Sequence, residues 1–362
     1  SVLSAVWLLV FGSAFPRLLA LFFLAEPIFS WVSELPYTDK SREIRGVRRE
    51  KLLSYAASMW KYYSEQCNAQ NHFLPPDNVQ TAPVGRVAHR TSPTNIGLAL
   101  CAALAACDLY LITPQAMCTY LLRMLTTVEK LAHWHGNLYN WYDTETLSPL
   151  APQYVSAVDS GNFLCCLCAL REGVSEYLSD CPDLQNVLEK TDRELKNAEL
   201  SALYDRRRDL FYIGYDLEQQ AFTPAHYDLL MSESRMMSYY ACAARQVPKS
   251  HWSALSRVLS KSDGYAGALS WSGTMFEYFM PYLFLESREN TLTHEALRYC
   301  VHCQRVFAHR RGVPFGVSES GYYRFDAEGN YQYRAHGIPR LALRRSVWDE
   351  TVISPYSPFL VL

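Results

Sequence analysis

The chain is poor in charge. Asp, Glu, Lys and Arg make up 19% of its 362 residues, against 49% hydrophobic residues. Chains that stay disordered have the opposite balance, so a folded core is expected. Positive charge is not in excess either: 34 Lys and Arg against 36 Asp and Glu give a net charge of −2. A generic nucleic-acid binder needs a positive field, so no nucleic-acid partner is expected. The sequence has no GxGxxG fingerprint, no Walker A loop, no GxSxG elbow and no HExxH pair, and its serines show no spaced His–Asp arrangement. No fixed-period repeat is visible, which argues against a solenoid.

Aromatic residues are plentiful: 25 Tyr, 16 Phe and 8 Trp. Their faces suit sugars and large helical cores equally. The 11 cysteines are odd in number, and several sit in apolar runs such as Phe163-Leu-Cys-Cys-Leu-Cys-Ala-Leu170. They read as small buried hydrophobes in a reducing compartment. Cys300-x-x-Cys303 has His302 between its cysteines, but no second CxxC completes four ligands, so no metal is expected.

Residues 1–36 are the most apolar part of the chain. Val2 to Phe15 is one weakly polar run, Pro16-Arg17 breaks it, and Leu18 to Ala25 resumes it. Neither run reaches the ~20 residues that cross a bilayer, but together they suggest a kinked transmembrane span or a re-entrant pair. A buried or interfacial hydrophobic hairpin is the alternative. The stretch Lys40 to Lys51 carries six basic residues. Basic residues beside a membrane segment favour the cytoplasmic side, so an inner-membrane location with the rest of the chain in the cytoplasm is expected. The Ser1 start and hydrophobic Leu362 end suggest a piece of a longer polypeptide.

Residues 37–362 read as one all-α domain. Helices are expected over 42–69, 95–111, 114–134, 156–171, 182–204, 225–246, 251–260, 275–285 and 294–310. Thr113-Pro114 is an N-cap with proline at the first helical position. Strands are expected to be scarce, with short hairpins over 211–222 and 322–333. Seven polar-aromatic loops separate the helices: 74–78, 89–95, 136–143, 158–162, 227–235, 270–274 and 314–320. Helix pairs with rich loops at alternate junctions suggest a ring of helical hairpins whose loops gather at one mouth.

Such loops suit a carbohydrate groove. Tyr139, Trp141, Tyr142 and Trp271 are candidate platforms for sugar faces, and Arg90, Asp143, Asp159 and Asn162 are candidate hydroxyl partners. Each is also an ordinary loop residue: Asp159-Ser-Gly makes an N-cap and a turn. Glycoside chemistry needs two carboxyl groups. Glu233 in Ser232-Glu-Ser-Arg235 and Glu319 in Val317-Ser-Glu-Ser320 are both flanked by serines and follow apolar residues, so partial burial and a raised pKa are expected. Glu277 is a helix-internal rival. His89, His135 and His336 are possible contacts.

Several long motifs resemble the cyclic β-1,2-glucan synthase family. They are Pro75-Pro-Asp-Asn78, His89-Arg-Thr-Ser-Pro-Thr-Asn-Ile-Gly97, Asn140-Trp-Tyr-Asp-Thr144, Tyr154-Val-Ser-Ala-Val-Asp-Ser-Gly-Asn162, Ser270-Trp-Ser-Gly-Thr-Met-Phe-Glu-Tyr278 and Tyr331-Gln-Tyr333. The resemblance runs from about residue 48 to 362. It is to the glycoamylase-like, ring-closing region between the glycosyltransferase and phosphorylase-like domains of those polypeptides. It implies an (α/α)6 barrel, lacking its last helices at the C-terminus, and retaining transglycosylation that cyclises linear β-1,2-glucan without a cofactor. By resemblance the acid/base is Glu233 and the nucleophile Glu319. Arg90, Asn95, Trp141, Asp143, Asp159, Asn162, Asp228, Arg235, Trp271, Tyr331 and Tyr333 would bind substrate. Asn137 and His336 replace the family's usual His and Phe, and Arg340 and Ala342 replace glycines. The alternatives are an endo-β-1,2-glucanase-type hydrolase and a non-catalytic glycan-binding module.

Overall fold

The computed structural model describes residues 47–345 and 350–361, with isolated residues between 10 and 25. The hydrophobic segment expected over residues 1–36 lies largely outside the described residues. Among the described residues, no helix is long and apolar enough to cross a membrane.

Nine α-helices are found among the described residues: α1 (Val47–Gln66), α2 (Pro93–Asp108), α3 (Pro114–Val128), α4 (Ala157–Ser175), α5 (Leu184–Asn197), α6 (Arg235–Ala243), α7 (Ser250–Ala254), α8 (Met275–Phe279) and α9 (Leu292–Arg311). Their starts follow from side chains that cap them. Ser92 and Thr113, each followed by proline, accept hydrogen bonds from the N–H groups of Asn95 and Ala116. Ser156 accepts from Asp159 N, and Thr274 forms a reciprocal capping box with Glu277. Each satisfies an amide that the helix itself leaves unpaired.

Helices two apart in sequence are neighbours in space: α4 lies against α2 and α6, and α3 against α5. This alternation is that of an α/α barrel, in which every second helix belongs to the same layer. Glycine permits the closest approaches. A Cβ on Gly161 of α4 would lie 2.2 Å from Met237 Cβ on α6, and one on Gly97 of α2 would lie 2.9 Å from Cys166 Cβ on α4. Two main cores result. One joins Ile96, Leu121, Leu125, Leu164, Leu184 and Phe211. The other joins Met231, Met275, Tyr278, Tyr299, Cys300 and Val317. Cys300 and Cys303 thus serve as core residues of α9.

Several expected helices are shorter than their hydrophobic pattern implied. The third ends at Val128 because His133–Trp134 pairs with Asn137–Leu138 in a hairpin whose turn places His135 and Gly136 at φ 48° and 70°. The fifth stops at Asn197 and is followed by a separate 3₁₀ turn, Leu200–Leu203. The segment 225–246 is helical only from Arg235. His226–Tyr227 pairs with Phe211–Tyr212, and Ser232 Oγ captures Ser234 N in the following turn. A serine hydroxyl competing for backbone amides delays the helix in this way. The helix expected over 251–260 ends at Ala254. Leu259–Ser262 instead forms a hairpin with Tyr265–Ala268 through Asp263-Gly264, both at positive φ. Pro281 limits α8, which passes into a 3₁₀ turn at Met280. Strands are numerous rather than scarce, though most span two residues. The longest pair is Glu319–Phe325 with Tyr331–Ala335.

The Gly161–Met237 approach gives a direct test. Gly161→Ala should destabilise the fold by about 1–3 kcal/mol through overpacking, read as a lowered melting temperature. An unchanged melting temperature would mean that α4 and α6 have room to separate.

Candidate active site

The N-terminal ends of α2, α4 and α8, with the turn that precedes α6, carry the polar residues of the candidate site. The first two turns of α4 supply Asp159 and Asn162, the start of α2 supplies Thr94, and Glu233 lies two residues before α6. Thr94 Oγ1 donates to Asp159 Oδ1 at 2.6 Å. Asn162, fully buried, donates from Nδ2 to Thr94 Oγ1 at 3.2 Å and to Glu233 Oε1 at 2.6 Å. With its amide oriented to satisfy both ends, Asn140 donates to Asp159 Oδ2 at 2.9 Å and accepts from Trp141 Nε1 at 3.1 Å. Three early loops and the pre-α6 turn therefore form one polar chain ending on Glu233.

Glu319 begins the long hairpin. Tyr333, on the opposite strand, donates its hydroxyl to Glu319 Oε2 at 2.7 Å, and Thr274 Oγ1 reaches Oε1 at 3.5 Å. Tyr356 OH and Ser354 Oγ fasten the Glu319 backbone carbonyl. The rival Glu277 has a structural task. Its carboxylate accepts from Ser270 Oγ, Ser272 N and Thr274 N, closing the cap of α8.

The two acids differ electrostatically. Glu233 is pushed up to about 8, first by burial, then by the negative charges of Asp159 and Glu319; Asn162 opposes this. Glu319 is also raised by burial, while the Tyr333 hydroxyl pulls it back down. Asp159 is raised by burial against the hydrogen bonds from Ser156 and Thr94. Burial raises the Tyr333 and Tyr356 hydroxyls, and the charges of Glu319 and, less, Glu233 add to it. The charge of Glu319 thus reaches Glu233, 86 positions away in sequence.

A cavity of about 1170 Å³ has a lining that includes Asp77, Gln80, Arg90, Trp141, Tyr331 and Tyr333; neither acid is in that lining, and Tyr333 links it to Glu319. Arg90 lies 4.7 Å above the Trp141 ring and is held by Asp77 Oδ2 at 2.9 Å; Asp77 Oδ1 also accepts from Asn95. The Tyr333 ring is 66% exposed, although its hydroxyl is engaged. Aromatic rings interleaved with polar groups are the lining that a saccharide requires.

Other expected contacts lie elsewhere. Arg235 is 2% exposed, donates to the carbonyls of Leu230 and Tyr278, and stacks on Tyr282; it braces the segment before α6 against α8. Asp143 Oδ1 caps a turn through Glu145 N and Thr146 N. Tyr142 is fully buried, its hydroxyl donating to Ala132 O. Trp271 is 56% exposed and Asp228 exposed, the latter tied in through its backbone carbonyl. His135 pairs with Glu199 in a separate pocket. His336 is 1% exposed against Tyr322. Sequence reasoning passed over Thr94, Asp77 and Tyr356. The first two stand inside motifs already quoted; Tyr356 carries no such signal.

The fold is that of the endo-β-1,2-glucanases. The chain aligns with the Talaromyces funiculosus enzyme in complex with sophorose at a TM-score of 0.69, over 86% of this chain and 74% of that one, at 13% identity. It aligns with the Chitinophaga pinensis enzyme, in complex with sophorotriose and glucose, at 0.65, over 82% and 76%, at 14% identity. No protein-family model matches the chain. In sequence it is 27% identical to the cyclic β-(1,2)-glucan synthase NdvB of Rhizobium meliloti over 94% of its own length, which is 16% of the length of that relative. The chain resembles the cyclic β-1,2-glucan synthase family along nearly all of its residues.

The raised carboxyl of Glu233 gives a signed prediction. Below pH ~4.5 the group is protonated folded and unfolded, and has no effect on stability. As pH rises towards about 8, the unfolded chain ionises freely while the folded one resists, so stability falls. Glu233→Gln should therefore unfold at a higher temperature than the parent at pH 8.5, with the gap closing by pH 4. A gap independent of pH would remove Glu233 as its source.

Proposed function

We propose that this chain is a carbohydrate-active (α/α)6-barrel domain, over residues 37–362, that cleaves β-1,2-glucan and re-forms the linkage as a ring by retaining transglycosylation. The observation that carries the reading is the unequal pair of acids. One carboxyl is held protonated near neutral pH beside Asn162, and the other is hydrogen-bonded by Tyr333 at an aromatic cavity. Unequal carboxyls divide acid from nucleophile. The likeness in sequence to a cyclic glucan synthase supports the substrate.

In this reaction Glu233 gives its proton to the glycosidic oxygen as the bond to the anomeric carbon breaks. Glu319 attacks that carbon and forms a glycosyl ester. Glu233, now a carboxylate, takes the proton of the incoming 2-hydroxyl from the chain's other end, and the new linkage displaces Glu319. Proton and electron pairs balance with no other reagent. Arg90, Asn95, Trp141, Tyr331 and Tyr333 form the sugar-holding wall, with Trp271 as an outlying platform. Asp159 and Asn162 position Glu233. Water in place of the 2-hydroxyl would give the hydrolysis named for the structural neighbours. By the same likeness, the chain works within a longer polypeptide with glycosyltransferase and phosphorylase-like domains, on the cytoplasmic side of a bacterial inner membrane to which residues 1–36 attach it.

Incubation with linear β-1,2-glucan tests the reading. Mass spectrometry should find products lighter by one water than linear chains, with little gain in reducing ends. Glu233→Gln and Glu319→Gln should each lower turnover about 100-fold or more. Product unaffected by either substitution would leave the chain a glycan-binding module.

A further inference from the structure

The wall of the cavity contains a clasp between two hairpins far apart in sequence. Val79–Gln80 pairs with Arg86–Val87 in one, and Glu319–Phe325 pairs with Tyr331–Ala335 in the other. The side-chain amide of Gln80 engages the second hairpin at two points, donating to Gly329 O at 2.8 Å and accepting from Tyr331 N at 3.0 Å. Arg86 adds a bond to Asn330 Oδ1 at 3.2 Å. In effect Gln80 supplies the backbone partners that a neighbouring strand would. Tyr331 opens the strand it secures, and Tyr333, two residues on, projects to the same side, as period-two alternation requires. Its hydroxyl is the one that meets Glu319 Oε2.

We infer that Gln80 is a positioning residue for the nucleophile: by fixing the start of the Tyr331–Ala335 strand, it aims the Tyr333 hydroxyl at Glu319. The meaning for catalysis rests on reading Glu319 as the nucleophile; the mechanical coupling from Gln80 through Tyr333 does not. Geometry supports it on three counts. The amide contacts are backbone-directed and so set strand position. The tyrosine ring is largely exposed, so no surrounding core fixes it. The other groups facing Glu319 lie on different elements: Thr274 and Glu277 at α8, Tyr356 on the C-terminal turn, and Glu233 before α6. None of them depends on Gln80.

The test reads Glu319 directly. Its side-chain carbon is followed by NMR through a pH titration of protein carrying ¹³C-labelled glutamate, with the signal assigned by its loss in Glu319→Gln. Tyr333→Phe removes a bond to the ionised form and should raise the titration midpoint by about half a pH unit or more. Gln80→Met keeps the bulk of the side chain and loses both amide bonds. It should raise the midpoint likewise, and adding it to Tyr333→Phe should raise it no further. Gln80→Ala provides a second variant should Gln80→Met fold poorly. An unmoved midpoint in the folded Gln80 variants, or a full additional rise in the double variant, would overturn the inference. No substrate enters the measurement, so an absence of transglycosylation would refute the proposed function and leave this coupling to stand or fall by itself.

Discussion

A carboxyl group taken out of water keeps its proton unless a partner stabilises its charge, and the arrangement around Glu233 withholds most such partners. Asn162 is the one hydrogen-bond donor found on it among the described residues, and Asp159 and Glu319 add negative charge that opposes ionisation. Much of the site serves to fix that one donor. Asn162 is fixed by Thr94, Thr94 by Asp159, and Asp159 by the first turn of α4, whose start depends on Ser156. The close approach of α4 to α6 through Gly161 brings the turn carrying Glu233 within reach of Asn162. Packing, capping and acidity are therefore linked: spreading those two helices would move the amide away from the acid.

The two acids belong to different halves of the fold. Glu233 is held by the polar chain at the ends of α2 and α4, which rest on the first core; Glu319 is held by Thr274 and the long hairpin, which rest on the second. Arg235, fully buried, donates to the carbonyls of Leu230 and Tyr278 and to Met231 Sδ, so it ties the segment before α6 to α8. A buried guanidinium needs acceptors, so it fixes the segment carrying Glu233 against α8 by its own requirement for hydrogen bonds. The residue next to the acid but one thus turns out to be a brace, a role that its nearness in sequence to Glu233 disguised.

Local chemistry made much of this legible in the sequence. Thr113-Pro114 marks a helix start because capping and proline geometry act over a few residues, whereas the equivalent Ser92-Pro93 start reads in sequence as part of the 89–95 loop. The serine-flanked glutamates were found because partial burial of an acid leaves apolar neighbours beside it. What stayed hidden depends on distant partners. Asp143 has the same composition around it whether it meets a sugar or caps its own turn, and only the fold shows the turn. Gln80 and Tyr331 are 251 residues apart, and no periodicity links them. The strands were underestimated because two-residue pairs leave no alternation to detect; the overlong helices 225–246 and 251–260 concealed turns set by Ser232 and Asp263-Gly264.

The coupling between the acids also bears on how one residue can serve in both halves of the proposed reaction. While Glu319 is ionised, its charge helps to keep the proton on Glu233. In the proposed reaction, once Glu319 is esterified to the sugar that charge is gone, and one cause of the raised pKa of Glu233 vanishes with it. Glu233 then holds a proton less tightly, at the stage when it must exist as a carboxylate to accept one from the incoming hydroxyl. Displacement of Glu319 restores the charge and with it the acid form of Glu233. The switch requires no movement of the backbone. In the proposed reaction it requires only that the charge of Glu319 continue to reach Glu233.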